Sequence, residues 1–159
     1  MAQPTNTQFA MAVHVLTLLA AHPGVLVDSG VLATSVASSP VHLRRILGHL
    51  RLAGLVDSRP GARGGWRLAQ PPESINLARV WRALNGAEQV LGLHEANPGC
   101  PLGQRVQAFL RDLDRQVYAA LTGELATMTV ADVRGRVTAD AGGPVALSTS
   151  PAQFASLRT

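Results

Sequence analysis

Apolar residues crowd the start of the chain in a helical rather than an alternating pattern. Phe9, Met11, Val13, Val15, Leu16, Leu18 and Leu19 cover most sides of a helix predicted over Thr7–Ala21, with Asn6 as its cap and His22-Pro23-Gly24 as its end. A helix apolar on most sides is expected to be largely buried. Asp28-Ser29 can cap a short second helix over 30–37, with Val31, Leu32 and Val36 inward. Ser38-Ser39-Pro40 is a break and a restart. Ser39 suits a cap, and Pro40 suits the first helical position, where its missing N–H costs nothing. The third helix runs to about Ala53. Its Leu43, Ile46, Leu47 and Leu50 follow the i, i+3, i+4, i+7 spacing of one apolar face. Gly54 stops it, and strands over 55–59 and 66–69 follow, joined by the glycine-rich loop 60–65.

Pro71-Pro72 breaks the chain again, and 75–84 reads as a helix with Leu77, Val80, Trp81 and Leu84 apolar. Residues 86–103 look like a linker holding His94, Glu95, Asn97-Pro98 and Cys100. A long helix over about 102–121 carries Leu102, Val106, Phe109, Leu113, Val117 and Ala120 or Leu121 in steps of three or four. That narrow seam suits helix–helix pairing, so these residues are the candidate dimer interface. Thr129 can cap a short helix over 130–136. The Gly-, Ser- and Pro-rich end, 140–159, is expected to be disordered. The expected division is a winged domain over 1–85, a linker or sensor loop over 86–101, the dimerisation and last short helices over 102–137, and a tail over 138–159. The fold class expected is mainly α: a winged helix-turn-helix domain plus a long C-terminal dimerisation helix.

The 159 residues are enough for one domain with a real core, built from Leu, Val and Ala because aromatics are only 4%. All 14 basic residues are Arg, a bias that Arg-rich codon usage largely explains. The charge is uneven. Residues 38–69 hold six arginines against one acid, Asp57, and so carry +5 of a total of +4, which leaves −1 for everything else. A compact basic helix-plus-loop on a near-neutral protein is the footprint of a nucleic-acid binder. The lone Cys100 allows no intrachain disulfide and fits a reducing cytoplasm. The N-terminus lacks the basic region of a signal peptide, and the run 9–21 is too short to span a bilayer, so no membrane partner is expected.

Two short helices, a Ser-Ser-Pro turn, an amphipathic helix and a glycine-tipped hairpin describe a winged helix-turn-helix. With the apolar stripe of the third helix facing the core, Val41, Arg45, Gly48 and Leu52 project away from it at 100° per residue, and His42, Arg44 and His49 flank them. The start of a recognition helix points into the major groove. Ser38, Ser39, Val41, His42, Arg44, Arg45 and His49 are therefore the candidate contacts to double-stranded DNA. Arg59, Arg63 and Gly64 are candidates on the wing, where glycines allow close approach to backbone or minor groove. Arg51, Arg67, Arg79 and Arg82 read as ordinary solvated charges. Enzymatic readings lack support: the acids have no motif context, and the loop 61–65 joins two strands instead of leading into a helix.

The segments FAMAVHVLTLLA, SPVHLRRILGHLRLAGLVDSRPGARGGWRLA and PPESINLARVWRAL resemble the Rrf-two family of bacterial winged-helix regulators, and the resemblance extends over about 7–137. It implies a homodimeric transcription regulator, most often a repressor, binding palindromic promoter DNA, with the long helix pairing across the dimer. Many relatives carry three cysteines before that helix and hold an iron–sulfur cluster. Here only Cys100 is present. His94 lies six residues earlier, and Val106 and Gln107 offer no third ligand of the expected type, so no cofactor and no metal are expected. The motif NPGCPLG is similar to the single-cysteine YwnA-like branch. Cys100 has two readings, a redox-responsive thiol at a helix start or a buried small residue shaping the turn. The alternatives to a DNA-binding regulator are a protein-interaction winged helix, which needs no basic wing, and a cluster-holding redox sensor.

Overall fold

The helix that is apolar on most sides, α1 (Thr7–Ala21), packs against the third, fourth and last α-helices and the second strand in the computed structural model, which describes residues 7–86 and 90–140. Ala12, Val15, Leu16 and Leu19 form its i, i+3, i+4, i+7 buried row, and Leu18 and Ala20 are buried beside them. The expected cap at Asn6 and residues 141–159 of the expected tail lie outside the described residues, whereas 138–140, also assigned to that tail, continue the last helix. After α1 come α2 (Ser29–Ser35), α3 (Pro40–Leu52), β1 (Val56–Arg59), β2 (Gly65–Leu68), a 3-10 turn (Pro72–Ser74), α4 (Leu77–Asn85), α5 (Pro101–Ala126) and α6 (Val130–Asp140). This is a winged helix-turn-helix with a long C-terminal helix.

α2 and α3 begin on side-chain caps: an Asp28 carboxylate oxygen accepts from Gly30 N at 2.8 Å, and Ser39 Oγ accepts from His42 N at 3.2 Å. Both helices end in the same motif. After α2, Ala37 N donates to Thr34 O and Ser38 N to Ala33 O. After α3, Gly54 N donates to Arg51 O and Leu55 N to Leu50 O. This 5→2, 6→1 pair satisfies the last carbonyls and requires a left-handed residue just past the helix. Gly54 supplies it with φ +68°, but after α2 the position falls to Ala37 at φ +49°. That turn ends α2 at Ser35, short of the 37 read from the pattern.

The hairpin is antiparallel, with Val56 opposite Leu68 and Arg59 opposite Gly65. Its root is held from a third side. Val27 N donates to Trp66 O at 2.9 Å and Trp66 N to Val27 O at 2.8 Å, so the α1–α2 connection adds one bridge to the wing. Only glycine fits at Gly65, because a Cβ there would sit 2.7 Å from Val27 O.

The C-terminal part returns to the same core. Residues 75–77 and 128–130 form an antiparallel bridge, with Leu77 N donating to Met128 O and Val130 N to Ile75 O. α6 then packs on α1, and Arg134 Nη1 donates to Ala20 O at 2.9 Å. α6 starts on a reciprocal cap. Asp132 accepts from the Thr129 hydroxyl and from Thr129 N, while Thr129 Oγ1 accepts from Asp132 N. The hydroxyl bond first, the backbone bond next and the Arg136 charge last hold the Asp132 carboxyl below its ordinary value. α5 is longer than its pattern predicts, running to Ala126 because Thr122 and Leu125 continue its buried face.

The two helix ends make a matched test. A left-handed alanine costs about 1–2 kcal/mol in backbone strain, partly offset by the extra unfolded-state freedom of glycine. Ala37→Gly should raise stability by about 0.5–1 kcal/mol and Gly54→Ala should lower it by at least as much. Urea unfolding of the two variants beside the parent checks both signs.

Candidate nucleic-acid interface

Burial of Leu43, Ile46, Leu47 and Leu50, each 1% exposed or less, fixes the rotation of α3 about its axis. The opposite side is left to solvent. Val41 is 69% and Leu52 86% exposed on that side. Arg44, Arg45 and His49 are exposed around them, and His42 and Ser38 are half-buried. The Ser39 hydroxyl is engaged as the helix cap.

The six arginines of the basic segment divide into two groups. Arg51 donates to Ser58 Oγ at 3.2 Å, tying the end of α3 to β1, and Arg67 lies 3.8 Å from Asp57 across the hairpin. Arg44, Arg45, Arg59 and Arg63 are exposed, and their guanidinium groups make no hydrogen bond or ion pair among the described residues. Arg79, outside this segment, donates to Gln70 Oε1 and to Ser74 O, which makes it a structural link and not a solvated charge. The wing tip is tightly turned. Gly61 has φ +100°, Gly64 N donates to Gly61 O at 2.9 Å, and a Cβ on Gly64 would fall 2.0 Å from Arg59 O. Arg63 therefore rides a loop whose conformation is set by its glycines.

The loop before α5 is organised by residues that the motif reading passed over. Asp114 is buried, and its Oδ1 accepts from Val90 N at 2.9 Å and Leu91 N at 2.7 Å. Two helical turns earlier on the same face, buried Gln107 donates to His94 O at 3.1 Å and to Glu95 Oε2 at 3.3 Å. The signal was present in the sequence as an amide and a carboxylate seven residues apart on one stripe, but their partners are distant in the chain. Cys100 is exposed and its sulfur accepts from Gly103 N at 3.3 Å as the cap of α5, so the reading of a buried turn residue fails.

Along the outer stripe of α5, Leu102, Val106 and Phe109 are 71%, 45% and 65% exposed, and Leu113 and Val117 are half-buried. Leu121, expected at the end of that seam, packs against the domain core instead. Among the described residues no helix is long and apolar enough to cross a membrane.

A family model described as Rrf2, iron-dependent transcriptional regulator, matches residues 5–135. The chain belongs to the Rrf2 family. YwnA of Bacillus subtilis, which carries the name of an HTH-type transcriptional regulator, is 34% identical over 80% of this chain and 95% of its own. A crystal structure described as that of a DNA-binding protein is 31% identical, covers 79% of this chain and 97% of its own, and superposes with a TM-score of 0.63. IscR of T. potens is 25% identical over 86% and 90%, with a TM-score of 0.58. This Rrf2-family chain is thus a DNA-binding transcription regulator.

The family description includes iron, and the residues here do not fit it. The single thiol caps a helix, the position six residues after it is Val106, and His94 stands six before it with its carbonyl held by Gln107. Among the described residues, no three His, Cys, Asp or Glu side chains gather as metal ligands. An iron–sulfur cluster needs several thiolates.

Proposed function

We propose that the chain is a homodimeric repressor acting in the cytoplasm on a pseudo-palindromic operator, with neither an iron–sulfur cluster nor another cofactor. The observation that carries this reading is the exposed set Arg44, Arg45, Arg59 and Arg63, with side chains unpaired among the described residues, on a helix whose opposite face is buried and on the wing that follows it. Arg44 and Arg45, with Ser38, Ser39, Val41, His42 and His49, enter the major groove. Val41 is suited to a thymine methyl and the arginines to guanine edges or phosphate. Arg59, Arg63 and the backbone at Gly64 meet the flanking minor groove or phosphates. Residues 1–85 read DNA, 86–101 connect, and within 102–137 the long helix pairs the subunits through Leu102, Val106, Phe109, Leu113 and Val117. A dimer places two recognition helices on successive turns of the duplex, where bound protein blocks transcription.

Cys100 supports a second function for the same molecule. It is exposed at the start of the seam helix, so a bulky oxidative adduct there would act beside the subunit contact.

Gel shifts with DNA from the chain's own upstream region test the interface. Arg45→Ala should weaken specific binding by about 1–3 kcal/mol, and parent binding should fall steeply with salt. Salt-insensitive binding that survives alanine at Arg44, Arg45 and Arg63 together contradicts the assignment.

Phe109→Glu should convert the dimer to a monomer in analytical ultracentrifugation and weaken operator binding by at least about tenfold, since each half-site is then bound alone. A dimer unchanged by Phe109→Glu rules out this seam.

Under oxidant, operator binding by the parent should change while Cys100→Ala stays constant. Equal responses of the two proteins would remove the thiol from the mechanism.

A further inference from the structure

A cleft of about 270 Å³ opens between the end of α1, α6 and the chain leaving β2, and none of the arginines assigned to DNA lines it. The end of α1 and its turn form one wall with Leu19, Pro23 and Gly24. The chain leaving β2 forms the other, with Leu68 and Pro72, and α6 closes the end with Arg134. The cleft lies just under the range of about 300–1,000 Å³ that encloses drug-sized ligands, so its occupant is metabolite-sized.

Arg134 gives the cleft its chemistry. The side chain is half-buried, and Nη1 is held by Ala20 O at 2.9 Å. It forms no ion pair among the described residues, and its remaining N–H donors are left for a ligand. A guanidinium fixed by one bond is pre-organised for a carboxylate, and loses little freedom on binding it. Glu73 lines the same cleft and is exposed. Its charge opposes a second negative group, which favours a ligand with one carboxylate over a dianion. Leu19, Leu68 and the prolines suit an apolar body.

The walls lead directly to the DNA-binding parts. Three residues beyond Gly24, Val27 makes the bridge to Trp66 that holds the wing root. Gln70, also in the cleft, donates to Gly54 O at 2.6 Å, at the end of the recognition helix, and accepts from Arg79. A ligand that separates these walls moves the wing relative to α3.

We propose that this cleft is an effector site for small apolar monocarboxylates, read by Arg134 and coupled to the wing. The coupling rests on the operator-binding reading, whereas ligand binding does not, so the two are measured separately.

Isothermal titration of the full chain without DNA uses butyrate, hexanoate, benzoate and phenylacetate, with hexanamide and benzamide as neutral controls. At least one acid should bind with a Kd below about 1 mM, and its neutral amide (butyramide and phenylacetamide serving for the other two acids) at least about tenfold more weakly. Arg134→Gln, which retains a donor for Ala20 O, should lose at least about tenfold in affinity for that acid. Glu73→Gln, at an exposed position, should gain about two- to threefold through removal of a nearby like charge. The Glu73 variant and the amide controls keep the test valid if Arg134→Gln fails to fold. Failure of all four acids to bind below about 1 mM overturns the site, as does binding that Arg134→Gln and amide substitution leave unchanged. A bound acid that leaves the gel shift unchanged overturns the coupling alone.

Discussion

The interface depends on the burial of four aliphatic side chains on one side of α3. Leu43, Ile46, Leu47 and Leu50 are each excluded from water, and removing one such side chain from solvent is worth about 1.5–3 kcal/mol. Rotating α3 by a quarter turn would expose part of that stripe and bury arginine instead, which is far more expensive. The direction of Arg44 and Arg45 is therefore an outcome of core packing. Neither arginine needs a partner within the domain to point outward.

Electrostatics then separates the charges that remain available from those already engaged. Arg51, Arg67 and Arg79 are near other arginines in sequence but are tied to Ser58, Asp57 and Gln70. These exposed or half-exposed contacts contribute little to stability individually. Their larger effect is geometric: Arg51 joins helix to hairpin, and Arg79 joins the segment after β2 to α4. The wing is held as well by backbone. The Val27–Trp66 bridge needs Gly65, and the tip needs Gly64, so the presentation of Arg59 and Arg63 is fixed by positions without side chains.

Much of this was legible in the sequence because it is local. The Ser39 cap, Pro40 at the first helical position, the apolar stripe of α3 and the stop at Gly54 involve residues within a few positions of one another. The basic hairpin followed from its arginines and glycines in the same way. What stayed hidden depends on long-range pairing. Asp114 meets Val90 and Leu91 more than twenty residues away, and Arg134 meets Ala20 across 114 positions. No periodicity announces such contacts. The early end of α2 was hidden for another reason: alanine is a poor signal for a left-handed residue. Leu121 fitted the outer seam by spacing, yet α5 turns it toward the core near the helix end.

Asp114 and Gln107 have a mechanical consequence for α5. Buried polar groups tolerate only the arrangement that satisfies them, and sliding the helix by one turn would leave a carboxylate in an apolar contact without donors. α5 is thereby locked in register against the segment 90–95 that leads into it. Whatever meets the outer stripe of such a helix engages a rigid lever. Through its packing on α4, a push on α5 at Phe109 bears on the domain that carries the wing and the recognition helix.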